Sequence, residues 1–244
     1  TNNSSISGLS LTNDDTDLAN ITAYAIWDRS GTLLNIDNKG LITANATETT
    51  VGSTAVAIDV SAATAPVTIT NTRAEDGSSP SFVTGDILFG AADGNVLTID
   101  GHVTDNNGVT LRSSVDGRVI STGSLDVSVK DGLLRTEEAR VRDLTVGSAG
   151  APSDEAGIVQ FLLENTPNAD PIINATGAVD FLANSTASFS SLGFLGADGI
   201  YTLLRATGGI DLHGRVVDEL VTFDTPFLFN SSLDLESDAG IDTL

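Results

Sequence analysis

The sequence predicts an all-β fold, a right-handed single-stranded parallel β-helix, from three observations. Turn signals recur at short intervals, the stretches between them alternate apolar and polar residues, and large aromatics are scarce. Of the 244 residues 40% are hydrophobic but only 5% aromatic. Few bulky rings are available to fill a broad interior, so aliphatic side chains in many similar thin layers suit this inventory best. The length admits one large β domain or two smaller ones.

The turns come first. Asp-Gly or Asn-Gly pairs stand at Asp76-Gly77, Asp93-Gly94, Asp100-Gly101, Asn107-Gly108, Asp116-Gly117, Asp131-Gly132 and Asp198-Gly199, with Thr122-Gly123 in one gap. Glycine reaches positive φ without steric cost and Asp or Asn tolerates the left-handed region, so each pair marks a change of direction.

Between the turns lie the strands. Ala57–Val60, Val67–Thr70, Val96–Asp100, Leu125–Val129 and Val141–Val146 alternate with the period of two that half-buried strands require. Leu133–Leu144 and Ser153–Asn165 also fit short helices, with Ser153 as an N-cap. Strands are preferred there because Gly157 interrupts the second segment and every neighbour is β.

Short strands and turns can build a sandwich, a barrel or a parallel solenoid. Asp-Gly turns favour hairpins, which leans toward an antiparallel sandwich. Against this stand the missing aromatics, the lack of long crossovers, and phrases that return at intervals of about 20 residues, such as AIDVSAATAPVTITNT and DILFGAADGNVLTID. Coils of about 20 to 25 residues stacked about 4.8 Å apart would form a rod of about 50 Å.

The phrases at Ala57–Ser61, Val67–Asn71 and Gly85–Gly101, and the tail GIYTLLRATGGIDLHGRV from Gly199, resemble the passenger region of Gram-negative autotransporters. TPFLFNSSLDLESDAGIDTL is similar to the last strands before that family's linker helix and translocator barrel. The resemblance implies a cell-surface or extracellular β-helical stem over 1–143. It further implies that 144–244 form C-terminal coils which, as in pertactin-like members, act as an autochaperone, a seed that folds first and templates the coils behind it. The implied partners are the C-terminal translocator barrel of the precursor, another copy of the stem in self-association, or a host or surface glycan or protein. The chain begins without Met and shows no signal segment, which reads as a processed piece of a longer precursor.

Charge narrows the partners. The formal net charge is −22, from 33 acidic and 11 basic residues. Such a surface repels phosphate backbones and anionic head groups, so neither nucleic acid nor a membrane surface is expected as partner, and no run approaches the roughly 18 to 20 apolar residues of a membrane helix, so direct membrane insertion is not expected. Divalent cations, basic proteins and neutral glycans stay open. Cysteine is absent, which removes disulfides, thiolate chemistry and Cys-ligated metal sites; it fits a reducing cytosol and equally a secreted chain kept unfolded during transport, and composition does not choose between them.

No catalytic, cofactor or metal site is expected. His102 and His213 each adjoin a glycine, without a GxSxG elbow, and read as turn residues. Asp14, Asp15 and Asp17 read as a solvated loop, not as the carboxylates of a β-helical polysaccharide lyase or hydrolase. Asp86, Asp93, Asn95 and Asp100 offer oxygen ligands for calcium, as a calcium-ordered surface-layer or β-roll protein would, but the Gly-Gly repeat of such rolls occurs only at Gly208-Gly209. The seven Asn-x-Ser/Thr sequons, from Asn2 to Asn230, are ascribed to the Asn/Thr-rich composition. Trp27 is expected inside, between coils, and Phe223, Phe227 and Phe229 as an apolar seal over the C-terminal end.

Overall fold

A computed structural model describes residues 1–10, 22–46, 53–149, 156–163, 170–191, 200–223, 234–238 and 241–244. The chain lays down strands in a fixed rotation. β1 (Ser5–Ser10), β2 (Thr22–Trp27) and β3 (Asn35–Asn38) enter three different sheets, and β4 (Leu41–Ala46), β5 (Thr54–Val60) and β6 (Thr68–Thr72) pair with them in the same order. β7 (Phe82–Thr84), β8 (Asp86–Phe89) and β9 (Asn95–Asp100) repeat the pattern. After a hairpin of β10 (His102–Thr104) and β11 (Thr110–Arg112), the rotation resumes with β12 (Ser114–Asp116), β13 (Val119–Ser121) and β14 (Leu125–Val129).

It continues through β15 (Leu133–Thr136), β16 (Ala139–Val141) and β17 (Asp143–Val146), then β18 (Ile158–Leu163), β19 (Ile173–Ala175) and β20 (Val179–Phe181). β21 (Thr186–Ser191), β22 (Leu204–Ala206) and β23 (Ile210–Asp211) follow, then the short helix α1 (Val217–Leu220) and β24 (Val221–Phe223). The first sheet has the order β1-β4-β7-β12-β15-β18-β21-β24 and the third β3-β6-β9-β14-β17-β20-β23, both parallel throughout. The second, β2-β5-β8-β13-β16-β19-β22, is extended antiparallel by β26 (Ile241–Thr243) and β25 (Glu236–Asp238).

The all-β expectation and its parallel pairing are met; the sandwich that the Asp-Gly turns favoured is not. Of those pairs, Asn107-Gly108 closes the hairpin of β10 and β11, with Gly108 at φ +79°. Asp93-Gly94 and Asp116-Gly117 instead carry the chain from one sheet into the next. A positive φ bends a corner between sheets as readily as it reverses a strand. The strands preferred over helices are found as β15, β16 and β17 in Leu133–Leu144 and as β18 in the second segment, whose N-cap candidate Ser153 lies outside the described residues. Gly157, just before β18, is required by close approach, since a Cβ there would lie 2.1 Å from the Val129 carbonyl oxygen.

Turn length departs from the expected 20 to 25 residues. Paired residues are separated by 36 (Ser5 and Leu41), 41 (Leu41 and Phe82), 32 (Phe82 and Ser114), 19 (Ser114 and Leu133), 25 (Leu133 and Ile158) and 28 (Ile158 and Thr186). Long corner segments absorb the surplus, so the 8-stranded sheet spans about 34 Å, not about 50 Å.

The alternating pattern places one row of each sheet in the interior. The first sheet contributes Ile42, Val83, Val115, Leu134, Val159 and Ala187 in register, the second Ile58, Ile87, Val119, Ala139, Ile173 and Leu204, and the third Ile36, Ile69, Leu97, Val127, Leu144 and Val179, all buried. Each fully buried Val, Leu or Ile contributes about 1.5–3 kcal/mol, against about 1 kcal/mol net for a hydrogen bond. The aliphatic rows therefore dominate the stability.

A second interior row of the third sheet changes chemistry along its length: Asn38, Asn71, Ile99, Val129, Val146, Phe181. At its start the amide of Asn2 donates to Asn38 Oδ1 (2.8 Å) and that of Asn38 to Asn71 Oδ1 (2.7 Å). Asn71 then donates to the Ser114 carbonyl (2.9 Å) and accepts from Ser81 Oγ (2.7 Å). At the other end Phe181 is fully buried, and Phe161 and Phe189 stack with centroids 5.7 Å apart.

Candidate functional site

Each strand that turns one residue inward turns the next outward, so the sheets also carry continuous surface rows. On the first sheet one reads Ser7, Thr43, Thr84, Asp116, Arg135, Gln160, Ser188; on the third, Asp37, Thr70, Thr98, Ser128, Thr145, Asp180, Asp211. Charges in these rows are largely met across strands. Arg135 bridges to Asp116 (3.0 Å), and Arg142 reaches both Asp126 and Asp143, which raises its pKa. Arg118 clamps Asp86 through Nε (3.0 Å) and Nη2 (2.5 Å), its guanidinium pKa raised by that hydrogen-bonded carboxylate.

The hairpin of β10 and β11 interrupts the regular corner between β9 and β12. Its base is closed by Ser113 N–H donating to the Gly101 carbonyl (2.8 Å). Asp131, a buried residue of the next turn, holds both strands: Oδ2 lies 2.5 Å from His102 Nδ1 and Oδ1 accepts from Arg112. Asp100 sits beside this group, and burial pushes its carboxyl pKa up against the opposing pull of Lys130 and Arg73. This gathering of charge needs no catalyst to explain it, because it pins the excursion to the body. No serine or threonine hydroxyl bonds to His102 or His213 among the described residues.

The proposed calcium ligands do not come together. Asp86 is taken by Arg118, Asp93 accepts from Ser124 N (3.4 Å), and Asn95 is buried, accepting from Val67 N (3.0 Å) and donating to the Ala92 carbonyl (2.7 Å). A different set does converge: ligand atoms of Asp180, Asp211 and His213 lie within 4.8 Å of one another, half-exposed or exposed. Asp180 and Asp211 pair in register, and His213 adopts φ +52° on a turn whose N–H donates to Asp211 Oδ1 (2.7 Å). Oxygen and imidazole donors together suit a borderline metal better than calcium. The sequence hides this set because 31 residues separate Asp180 from Asp211 and only register unites them.

Trp27 corrects an expectation. It is 51% exposed, stacks on Tyr24 (centroids 4.6 Å) and lies under the Arg29 guanidinium at 4.8 Å. In register it pairs with Asp59, whereas its neighbour Ile26 takes the inward row with Ile58. Asp14, Asp15, Asp17, Phe227 and Phe229 lie outside the described residues, and Phe223 is placed only as backbone of β24.

At the C-terminal end the edge of the second sheet is covered through specific bonds. Leu244 is buried and exchanges backbone bonds with Leu204 (2.8 and 3.0 Å), while Asp242 accepts from Ile210 N (2.8 Å) and Ser237 Oγ (2.5 Å), which holds its pKa down. Arg215 donates to the carbonyls of Phe181 (2.6 Å), Leu182 (2.8 Å) and Ser185 (3.0 Å), and its desolvation lowers its pKa.

A groove of about 560 Å³ opens at the opposite end of the first sheet. Leu41 and Phe82, side by side in register, form its floor and are 36% and 37% exposed. The 73–81 segment walls it, folded on itself by Ala74 N to Ser79 O (2.9 Å) and by Ser78 donating to Asp76 Oδ1 through N (2.9 Å) and Oγ (2.6 Å). Lys39 Nζ ties that wall to the body through Glu75 (2.6 Å) and Asp37 (3.6 Å). No helix among the described residues is long and apolar enough to cross a membrane. No family model, curated protein or solved structure matches the chain.

Proposed function

We propose that the chain is a right-handed single-stranded parallel β-helix, the stem of a Gram-negative autotransporter passenger at the cell surface. It supports adhesion or self-association, and residues 144–244 promote folding of the rest. The observation that carries the reading is the rotation of strands: each passage of the chain adds one strand to each of three parallel sheets, in constant order. Right-handed crossover between parallel strands is the strong general rule. Each turn then meets only its neighbours, so folding proceeds by addition to an existing edge.

The covered edge of the second sheet at the C-terminal end supports the direction of that addition. An antiparallel strand pair occupies the second sheet's edge beyond β22, so growth is directed toward the N-terminal strands. In the precursor the translocator barrel would hold this end at the outer membrane. Catalysis is not part of the reading, since His102 serves with Arg112 to pin the hairpin to Asp131 and no hydroxyl bonds to either histidine among the described residues.

The test is removal of Gly199–Leu244 from the full-length precursor. Secretion should fall, or the surface-exposed passenger should become trypsin-sensitive throughout the 1–143 segment. Undiminished secretion with a protease-resistant stem would sink the templating role.

A further inference from the structure

We infer that the groove over Leu41 and Phe82 is a binding site for a basic, extended polypeptide segment whose Lys or Arg side chains lie along the floor with their charged ends at Glu75 and Asp76. The inference rests on the reading of the chain as an adhesive stem, and it names what such a stem would hold.

Charge complementarity selects the occupant. The groove is lined by Glu75 and Asp76 against one cation, Lys39, which is already shared between Glu75 and Asp37. Glu75 is 73% exposed at its side chain, and Asp76 uses Oδ1 for Ser78. The Ser78 hydrogen bonds hold the Asp76 carboxyl below its usual range, so it stays anionic in mildly acidic surroundings. Acidic oxygens thus face solvent beside an apolar floor.

Shape adds to charge. Lys and Arg carry long apolar stems that cover aliphatic and aromatic surface while the head group stays in water. Phe82 offers a ring for a cation and Leu41 a surface for the stem. The groove is open to solvent along its top, which admits an extended segment lying across Leu41 and Phe82. An acidic peptide or phosphorylated ligand is disfavoured by the lining and by the net charge of −22. A second copy of this chain, with 11 basic residues among 244, is a poor source of the segment.

The experiment uses the intact chain and a fluorescein-labelled peptide of alternating lysine and leucine, followed by anisotropy at low and at moderate salt. The same peptide with glutamate for lysine, and a neutral oligosaccharide as competitor, serve as controls. Glu75→Gln with Asp76→Asn should weaken binding about tenfold and flatten its salt dependence, and Phe82→Ser about fivefold, each compared at a temperature where circular dichroism shows the variant folded. Asp218→Asn with Glu236→Gln, near the opposite end, should leave binding within about twofold, because distant surface charges are screened.

The inference is overturned if the peptide does not bind, if the distal pair weakens binding as much as the groove pair, if the glutamate peptide binds equally, or if the oligosaccharide displaces the probe. A templating deletion without effect would leave this measurement standing. Conversely, failure here would leave the templating role untouched.

Discussion

The same interior row is solved in two ways at its two ends. Near the N terminus Asn38 and Asn71 stack their amides, fully buried and hydrogen-bonded along the axis; four strands beyond Asn71, Phe181 fills the equivalent place, near the Phe161–Phe189 stack. An amide ladder adds little net stability but penalises any slip in register, because a displaced Asn would be buried without partners. A phenylalanine layer adds much more free energy and tolerates adjustment. The difference teaches that the two ends hold the same row by different means, aromatic burial in the C-terminal turns and register in the N-terminal ones, which is the arrangement the proposed order of folding would need.

Breaking the aromatic end should have the largest effect. Phe161→Ala is expected to cost about 3–5 kcal/mol, seen as a lower urea midpoint by circular dichroism across the whole chain. Trp27, the sole indole, sits in the N-terminal region and supplies a separate fluorescence signal. If that signal unfolds at its original midpoint while the dichroism shifts, the C-terminal layer does not support the rest.

Disturbing the ladder should cost less and act locally. Asn71→Ala removes the acceptor of Ser81 Oγ and the shortest acceptor of the Asn38 amide, which keeps only the longer contacts to the Gly40 and Phe82 carbonyls, for a loss of about 1–3 kcal/mol, and the Trp27 transition should then precede the dichroism transition. Replacing Asn38 and Asn71 together by Val should recover most of that loss, since removing both partners leaves less unsatisfied. A double variant less stable than the single one would mean that the amides contribute more than alignment.

The smallest effect concerns the charge cluster between these regions. Burial raises the Asp100 pKa, so its ionised form opposes folding above that raised value. Asp100→Asn should therefore increase the melting temperature at pH 7. The gain should shrink as pH falls through the folded-state pKa and vanish below about pH 4, near the unfolded value. A pH-independent difference would assign the effect to packing instead.

How much of this the sequence disclosed follows from which interactions are local. Strict alternation in Val96–Asp100 and Leu125–Val129 reported burial on one face, and the scarcity of rings excluded a thick core. Asp93-Gly94 announced a turn but not whether it reversed a strand or rounded a corner, because the φ requirement is the same. Trp27 was misplaced since apolarity argues for the interior, whereas alternation with Ile26, in register with the inward Ile58, faces it outward. The groove and the Asp180–Asp211–His213 set stayed hidden because each depends on which turn lies beside which, and turns of 19 to 41 residues give no fixed period from which to count.

The hairpin of β10 and β11 shows what irregular periods permit. Gly101 and Ser113 meet across its base, so β9 and β12 take their places as though the residues between them were absent. Length added at the tip, beyond the His102 and Arg112 contacts with Asp131, would leave both the base and those contacts in place. The tip at Asn107 is accordingly the place to graft a foreign epitope, carried outward on a framework that does not register its arrival.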